Sequence, residues 1–342
     1  MAKPTLRDVA KRAGLSTATV DRVLHERDGI SERAKKKVRE AIHELNFGKI
    51  PESLSSRPKP VMRFAFLLPH LHTSFADEMV QAALAAPAAV DDVDVLIEII
   101  GIDLIDGTEL IRELDAISPD DFDGVALFAV DVPGVRSAID RAVSRNLKVV
   151  TLVADIPTSM RHHFVGIDNM AAGRVAGTLM GRFAANRSGN VGMIIGSHRQ
   201  RDHIDRRLGF EQVLQSNFPN LRLLPVEEGA SRHEKNRVIT EKFLQNHDEL
   251  VGIYSIAAGN SGILDALYDK ALDEDLIVIL HELSDPVRKA LQDGTIDAVI
   301  SQNTGHIARS AVRVLRAHCK GVQIVHALEQ IGTDIYLADN LP

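Results

Sequence analysis

The chain has 342 residues, 45% of them apolar and 25% charged. That is too long for one small module and excludes extensive disorder. A single cysteine, Cys319, excludes a disulfide framework, and no run of 18 or more apolar residues is present to span a membrane. The net charge of -7 hides an asymmetry: residues 1–60 hold fourteen Lys or Arg against eight Asp or Glu, so a basic head precedes an acidic remainder, and only the head suits a polyanion.

Met1-Ala-Lys-Pro runs straight into charged, periodic sequence with no apolar signal core, so the cytoplasm is the expected location. Residues 1–48 read as three short helices. The first covers about 6–13, with Thr5 as its N-cap, Asp8 at the third helical position and Gly14 as its breaker. Ser16 caps a second helix that runs to Leu24. Ser31 caps a third that runs to Leu45, with Ala34, Val38, Ala41, Ile42 and Leu45 on its inner face. Residues 49–61, rich in Pro, Ser and Lys, read as a hinge or linker.

From residue 62 the pattern changes. Short apolar runs such as 64–68, 124–130, 149–153, 191–195, 252–255 and 277–280 alternate with amphipathic stretches of helical length. Repeated βα alternation implies parallel sheets covered by helices on both faces. Nine such runs in about 280 residues fit two doubly wound sheets better than one. The predicted fold class is therefore α/β, an all-helical helix-turn-helix head followed by two doubly wound lobes. Ligands of open α/β sheets sit beyond the carboxyl ends of the strands, and two facing lobes put the default site in the cleft between them. The segments of interest are 70–75, 153–155, 196–202, 257–260, 281–282 and 301–302.

The strongest local signal is Thr5-Leu-Arg-Asp-Val-Ala-Lys-Arg-Ala-Gly-Leu-Ser-Thr-Ala-Thr-Val-Asp-Arg-Val-Leu. A tight turn at Gly14 sends the second helix off steeply, with its N-terminal residues available to the major groove. Thr17, Ala18 and Arg22 are placed toward base edges, Arg22 as a bidentate donor to guanine and Ala18 against a thymine methyl. Thr5, Ser16, Thr19 and His25 are placed toward phosphate. For Ser16 and Thr19, helix capping and packing is an equally good account.

This run resembles the head of the LacI family of bacterial regulators, in which Asp21 stands for a usual Ser and His25 for a usual Asn. An acid there repels phosphate unless Lys11, Arg12 or Arg22 neutralises it. The resemblance implies a homodimer on near-palindromic double-stranded operator DNA, with a hinge leucine wedged into the minor groove. Leu54 is the candidate wedge, although the hinge run here, Phe47-Gly-Lys-Ile-Pro-Glu-Ser-Leu, departs from the family's. Val165-Gly-Ile-Asp-Asn-Met-Ala-Ala-Gly173 and Arg206-Arg-Leu-Gly-Phe210 extend the resemblance to the body, which is similar to periplasmic sugar-binding proteins. It implies lobes of about 62–165 with 296–326 and about 166–295, and leaves 327–342 as a C-terminal extension.

The implied effector is carbohydrate-like: a sugar, sugar alcohol or sugar phosphate. Phe75 takes the ring-stacking role, with His72 beside it as a hydroxyl partner. Glu282 and Gln302 stand where the family carries polar ligand contacts. Arg206, or else Arg201, reaches the ligand. Asp168 either reads the ligand or braces the lobe crossover, Asn260 fits a contact or a turn equally well, and Asp155 is a weaker candidate.

Other classes of function fare worse. There is no G-x-S-x-G elbow, the glycine-rich runs match neither the dinucleotide fingerprint nor the P-loop, and the His pairs come without a ligand constellation. No enzyme activity, metal or cofactor is expected. A transport protein with the same body would lack the helix-turn-helix, and a regulator with a ligand-free body is the remaining alternative.

Overall fold

Thr5, Ser16 and Ser31 begin three helices by side-chain capping: Ser16 and Ser31 each offer an oxygen to an otherwise unpartnered amide of a first turn, while Thr5 donates to the carboxylate of Asp8. In the computed structural model, which describes residues 4–25, 27, 30–45, 47, 60–70, 73–89, 92–104, 106–247, 249–270 and 276–342, these are α1 (Leu6–Ala13), α2 (Thr17–Leu24) and α3 (Glu32–Leu45). Asp8 accepts from the Thr5 amide at 2.8 Å and from its hydroxyl at 2.7 Å. Ser16 Oγ accepts from the Thr19 amide at 3.1 Å, and Ser31 Oγ from that of Ala34 at 3.3 Å. Gly14 ends α1 at φ 65°, a left-handed turn that favours glycine. Val9, Ala13, Val20, Val23, Val38 and Ile42 close a small core among the three helices. The chain divides into two units, 1–60 and 61–342.

The second unit holds two sheets. Strands β1 (Val61–Pro69), β2 (Asp94–Ile102), β3 (Gly124–Phe128), β4 (Lys148–Leu152) and β5 (His163–Val165) form the first, in the order β2-β1-β3-β4-β5 and all parallel. Their connections carry α4 (Ser74–Ala85), α5 (Thr108–Ala116) and α6 (Pro133–Ser144). The second sheet contains β6 (Gly189–Ile195), β7 (Leu221–Leu223), β8 (Glu227–Glu228), β9 (Leu250–Ser255), β10 (Ile277–His281), β11 (Ala298–Gln302) and β12 (Thr333–Tyr336). Its order is β12-β11-β10-β9-β6-β7, with β8 on β6 and only β12 antiparallel to its neighbour. The helices are α7 (Asn169–Phe183), α8 (Arg201–Asn217), α9 (His233–Asn246), α10 (Asn260–Asp269) and α11 (Asp285–Gln292). Central strands read as unbroken apolar runs because helices cover both faces; all five residues of β3 and of β10 are buried.

Residues 296–302 lie in the second lobe, not the first as expected. Strand β11 pairs in parallel with β10, Ile279 opposite Ala298. The chain returns to the first lobe only at Asn303, where α12 (Thr304–Lys320) begins and packs on α4, β3 and β4. The apolar run alone could not say which sheet claims this strand; the hydrogen-bond ladder does. The expected C-terminal extension likewise includes β12, hydrogen-bonded to β11.

The two body motifs quoted above are a single packing unit. A Cβ on Gly173 of α7 would lie 1.9 Å from the carbonyl oxygen of Arg206, and one on Gly209 of α8 would lie 2.1 Å from that of Met170. Only glycine lets the backbones of α7 and α8 approach this closely.

Candidate functional site

The carboxyl ends of both sheets face a cleft whose empty space, open mouth included, is about 540 Å³, and this is where open α/β sheets bind ligands. All six strand-end segments singled out by the sequence contribute to its lining. The first lobe supplies Thr73, Phe75, Phe128 and Val153; the second supplies Asp202, His203, Arg206, Ala257, Glu282 and Gln302. Thr73 caps α4 by accepting from the Ala76 amide at 3.2 Å, which sets Phe75 at the mouth.

Arg206 anchors the cleft. It is 2% exposed. Its Nε donates to Asn169 Oδ1 at 2.8 Å and its Nη1 to the Ile256 carbonyl at 3.1 Å. Asn169 in turn donates to the Val153 carbonyl at 3.0 Å, which ties the guanidinium to the first lobe across the crossover. The remaining nitrogen, Nη2, is buried without a protein partner. Asp202 Oδ1 and Gln302 Oε1 share that condition. A buried polar atom left unpaired costs about 1–3 kcal/mol, so three of them on one wall mark a surface made to be hydrogen-bonded by something else.

Glu282 sits beside them, accepting from Gln302 Nε2 at 3.1 Å. Burial pushes its carboxyl up to about 7, against an opposing pull from Arg206. It is poised between a hydroxyl acceptor and a hydroxyl donor. The histidines behind it stay neutral. Burial lowers His203, whose Nδ1 accepts from the Ser197 amide at 3.2 Å, leaving the ring proton on Nε2, 3.7 Å from Asp202. Burial and then Arg206 hold His281 well below its ordinary range, and its Nε2 lies 2.8 Å from the Tyr254 hydroxyl. Val153, Ser231 and Glu282 all have positive φ, at 64°, 55° and 67°. Backbone strain of this kind, costing about 1–3 kcal/mol per residue, gathers at sites of function.

Phe75, Arg206, Glu282 and Gln302 are thus brought together, while four other expected contacts are engaged elsewhere. Asp155 is held by a bidentate pair with Arg161 and accepts from Thr151 at 2.8 Å. Asp168 caps α7 through the Ala171 amide at 2.8 Å, its side chain 66% exposed. Arg201 turns outward to Asp205, 2.9 Å away, and to Asp131 of the first lobe, 3.7 Å away. Asn260 lines the mouth, but its amide joins Ser255 at 3.0 Å to the His281 carbonyl at 2.8 Å. His72 lies outside the described residues. Sequence reasoning named neither Asp202 nor His203 as a contact, although its segment 196–202 took in the first. Helical phase could have found them, since 202, 206, 209, 210 and 213 fall on one buried face of α8.

In the head, Thr17, Ala18, Arg22 and His25 are exposed along one face of α2 and its C-cap. The exposed Thr5 precedes α1 and the exposed Ser16 precedes α2, and Thr19 is bonded to Ser16, oxygen to oxygen, at 2.8 Å. Asp21 is offset differently from expectation. Its partners are His25, 3.2 Å away, and Arg27, 3.9 Å away; Arg12 pairs with Glu44 instead. The two departures from the usual head sequence are therefore one local pair, i to i+4 on a helix. Leu54 lies outside the described residues.

Residues 5–49 match the profile of bacterial regulatory proteins of the lacI family, and residues 64–323 match that of a periplasmic binding protein domain. Among characterised relatives, the regulator RegA of Clostridium saccharobutylicum is 30% identical over 199 residues, 49% of this chain and 57% of that protein. The ribose operon repressor of Halalkalibacterium halodurans is 37% identical over 78 residues, 23% of this chain and 24% of that one. The matched stretches thus span from about a quarter to just over half of these relatives. Two solved structures share the body fold. A glucose-galactose binding protein from Geobacillus stearothermophilus aligns with TM-score 0.74 at 22% identity, over 83% of this chain and all of its own. A solute-binding protein from Burkholderia graminis in complex with D-arabinose gives 0.75 at 21%, over 83% and 98%.

Proposed function

We propose, on the premise that this chain belongs to the lacI family of bacterial regulatory proteins and carries a periplasmic-binding-protein body, that it is a transcriptional repressor of carbohydrate-utilisation genes governed by a sugar-like effector in the cleft. The head binds near-palindromic operator DNA as part of a homodimer. Arg22, Ala18 and Thr17 read bases, and Thr5, Ser16, Thr19 and His25 meet phosphates. In the body, Phe75 stacks on the sugar ring while Arg206, Asp202, Glu282 and Gln302 bond its hydroxyls.

The observation that carries this reading is the cluster of three unpartnered buried polar atoms, on Arg206, Asp202 and Gln302, behind an aromatic side chain. Sugars present that combination, with C–H faces for a ring and hydroxyls for paired donors and acceptors. Relatives point the same way by name, one being a ribose operon repressor and the structural neighbours sugar-binding proteins. Regulation follows if the effector prefers the lobe arrangement of either the DNA-bound or the DNA-free protein, because coupling of two sites is a difference of affinities.

The test is calorimetric titration of the full chain with neutral sugars, sugar alcohols and sugar phosphates, then operator binding with and without the best ligand. Saturable binding that changes operator affinity supports the proposal. Binding with no effect on the operator would remove the regulatory claim, and silence across the panel would remove the sugar.

A further inference from the structure

The cleft does not end at Phe75. A second chamber of about 680 Å³ adjoins it and shares Thr73, Phe75, Ser231, Ala258 and Glu282 with the first. Its own walls are Ser74, His233, Ser261, Ser284 and Pro286. Glu282 and the Phe75 ring stand where the two meet.

The outer chamber is chemically distinct. Its lining is hydroxyl-rich, with four serines and one threonine, and no Lys or Arg is among its described residues. His233 is already engaged, 3.0 Å from the Ser261 hydroxyl and 3.3 Å from Asp265. The charges nearby are carboxylates: Glu282, Asp265, Asp285 at the start of α11, and Glu78, whose carboxyl is pushed up by burial and then by Asp285. The N-termini of α10 and α11 open here without side-chain caps. Their amide dipoles can serve neutral oxygens, but among the described residues lining this outer chamber no Lys or Arg balances a phosphate or carboxylate against these acids.

We infer that the effector is a neutral ligand of two linked units, a disaccharide or a sugar glycoside, with one ring between Phe75 and Arg206 and the second on the serine-lined outer chamber. This rests on the sugar reading above and deepens it. The inner wall provides the strong, fully desolvated bonds. The outer wall provides hydroxyl contacts and room, and so decides length.

The experiment compares the full chain, by calorimetry, against a set of neutral disaccharides, each beside its two constituent monosaccharides. Expected is a disaccharide that binds at least tenfold tighter than either constituent. Ser284→Leu and Ser74→Trp, which fill the outer chamber, then bring it down to the monosaccharide's level. Circular dichroism and the melting temperature confirm that both variants fold. If a monosaccharide binds as tightly as every disaccharide containing it, or if both folded variants keep the full disaccharide advantage, the inference is overturned while the sugar sensor survives. If no sugar of either size binds, both fall together. A sugar phosphate winning over its neutral parent would overturn the exclusion of anions.

Discussion

The Nε2 of Gln302 donates to the Glu282 carboxylate at 3.1 Å, joining the ends of neighbouring strands β11 and β10 at the floor of the cleft. Because burial raises Glu282 to about 7 from an ordinary 4.5, the folded chain holds this proton over a range where the unfolded chain has released it. The contribution of the group to stability is therefore fully present below pH 4.5 and is lost as pH rises through 7. Glu282→Gln mimics the protonated form. It is expected to melt at the same temperature as the parent near pH 5 and higher than the parent near pH 8, as read by scanning calorimetry. A gap that is constant across this range would refute the buried, proton-sharing carboxylate.

Arg206 and Arg201 test the register of α8. Arg206→Ala leaves Asn169 Oδ1 and the Ile256 carbonyl without their buried donor, at about 1–3 kcal/mol each. It is expected to weaken effector binding about tenfold or more, since a hydrogen bond from a charged group is worth about 1.5–3 kcal/mol. Arg206→Lys is expected to rescue stability in part and affinity little, because an ammonium cannot make three bonds in the guanidinium plane. Arg201→Ala, with its side chain turned out of the cleft, is expected to leave the melting temperature within a degree or so. Equal losses for Arg201→Ala and Arg206→Ala would mean that the arginine assignment is wrong.

Gly173→Ala should act on the cleft without touching it. Its methyl would collide with the Arg206 carbonyl oxygen at 1.9 Å, which forces α7 and α8 apart and carries the guanidinium away from Asn169. Overpacking of this kind costs about 1–3 kcal/mol. The measurement is effector affinity together with melting temperature, and both should fall. Thr178→Ala, on an exposed turn of the same helix, is the control.

These residues also show how far the chain can be read. Capping residues and apolar periodicity made α1, α2, α3 and both parallel sheets legible, because each is a local rule repeated along the sequence. Strand-end segments located the cleft. What stayed hidden depended on partners that no periodic pattern specifies. Asp155 is held by Arg161 through a loop contact outside any helical or strand repeat, and β11 belongs to the second lobe through its pairing with β10, which an apolar run does not specify. Asp202 and His203 are obscured for another reason: a charged run reads as solvated surface, and only the exact start of α8 turns these two of its members inward.

In the head, Arg22→Ala is expected to cost about 1–3 kcal/mol of operator affinity and to relax selectivity at one base pair per half-site, with effector affinity unchanged. Asp21→Ser should do the reverse for affinity. It removes an acid from the helix that approaches the phosphates and frees His25 and Arg27 from it. Binding should tighten, and its dependence on salt should steepen. Gel-shift titrations at several salt concentrations measure both. A weaker complex for Asp21→Ser would show that the Asp21–His25 pair itself orders the protein–DNA contact.

The last relationship spans the cleft. Arg201 belongs to the second lobe and Asp131 to the first, 3.7 Å apart, both side chains more than a third exposed. Exposed pairs are worth about 0.2–1 kcal/mol and are screened by salt. If this pair favours the closed lobes, Asp131→Ala lowers effector affinity by up to about fivefold at low ionic strength, and the difference disappears at high ionic strength. Arg201→Ala should match it, and the double variant should be no worse than either single one. Additive losses would place Arg201 and Asp131 in separate roles, with Asp205, 2.9 Å away, as the only functional partner of Arg201.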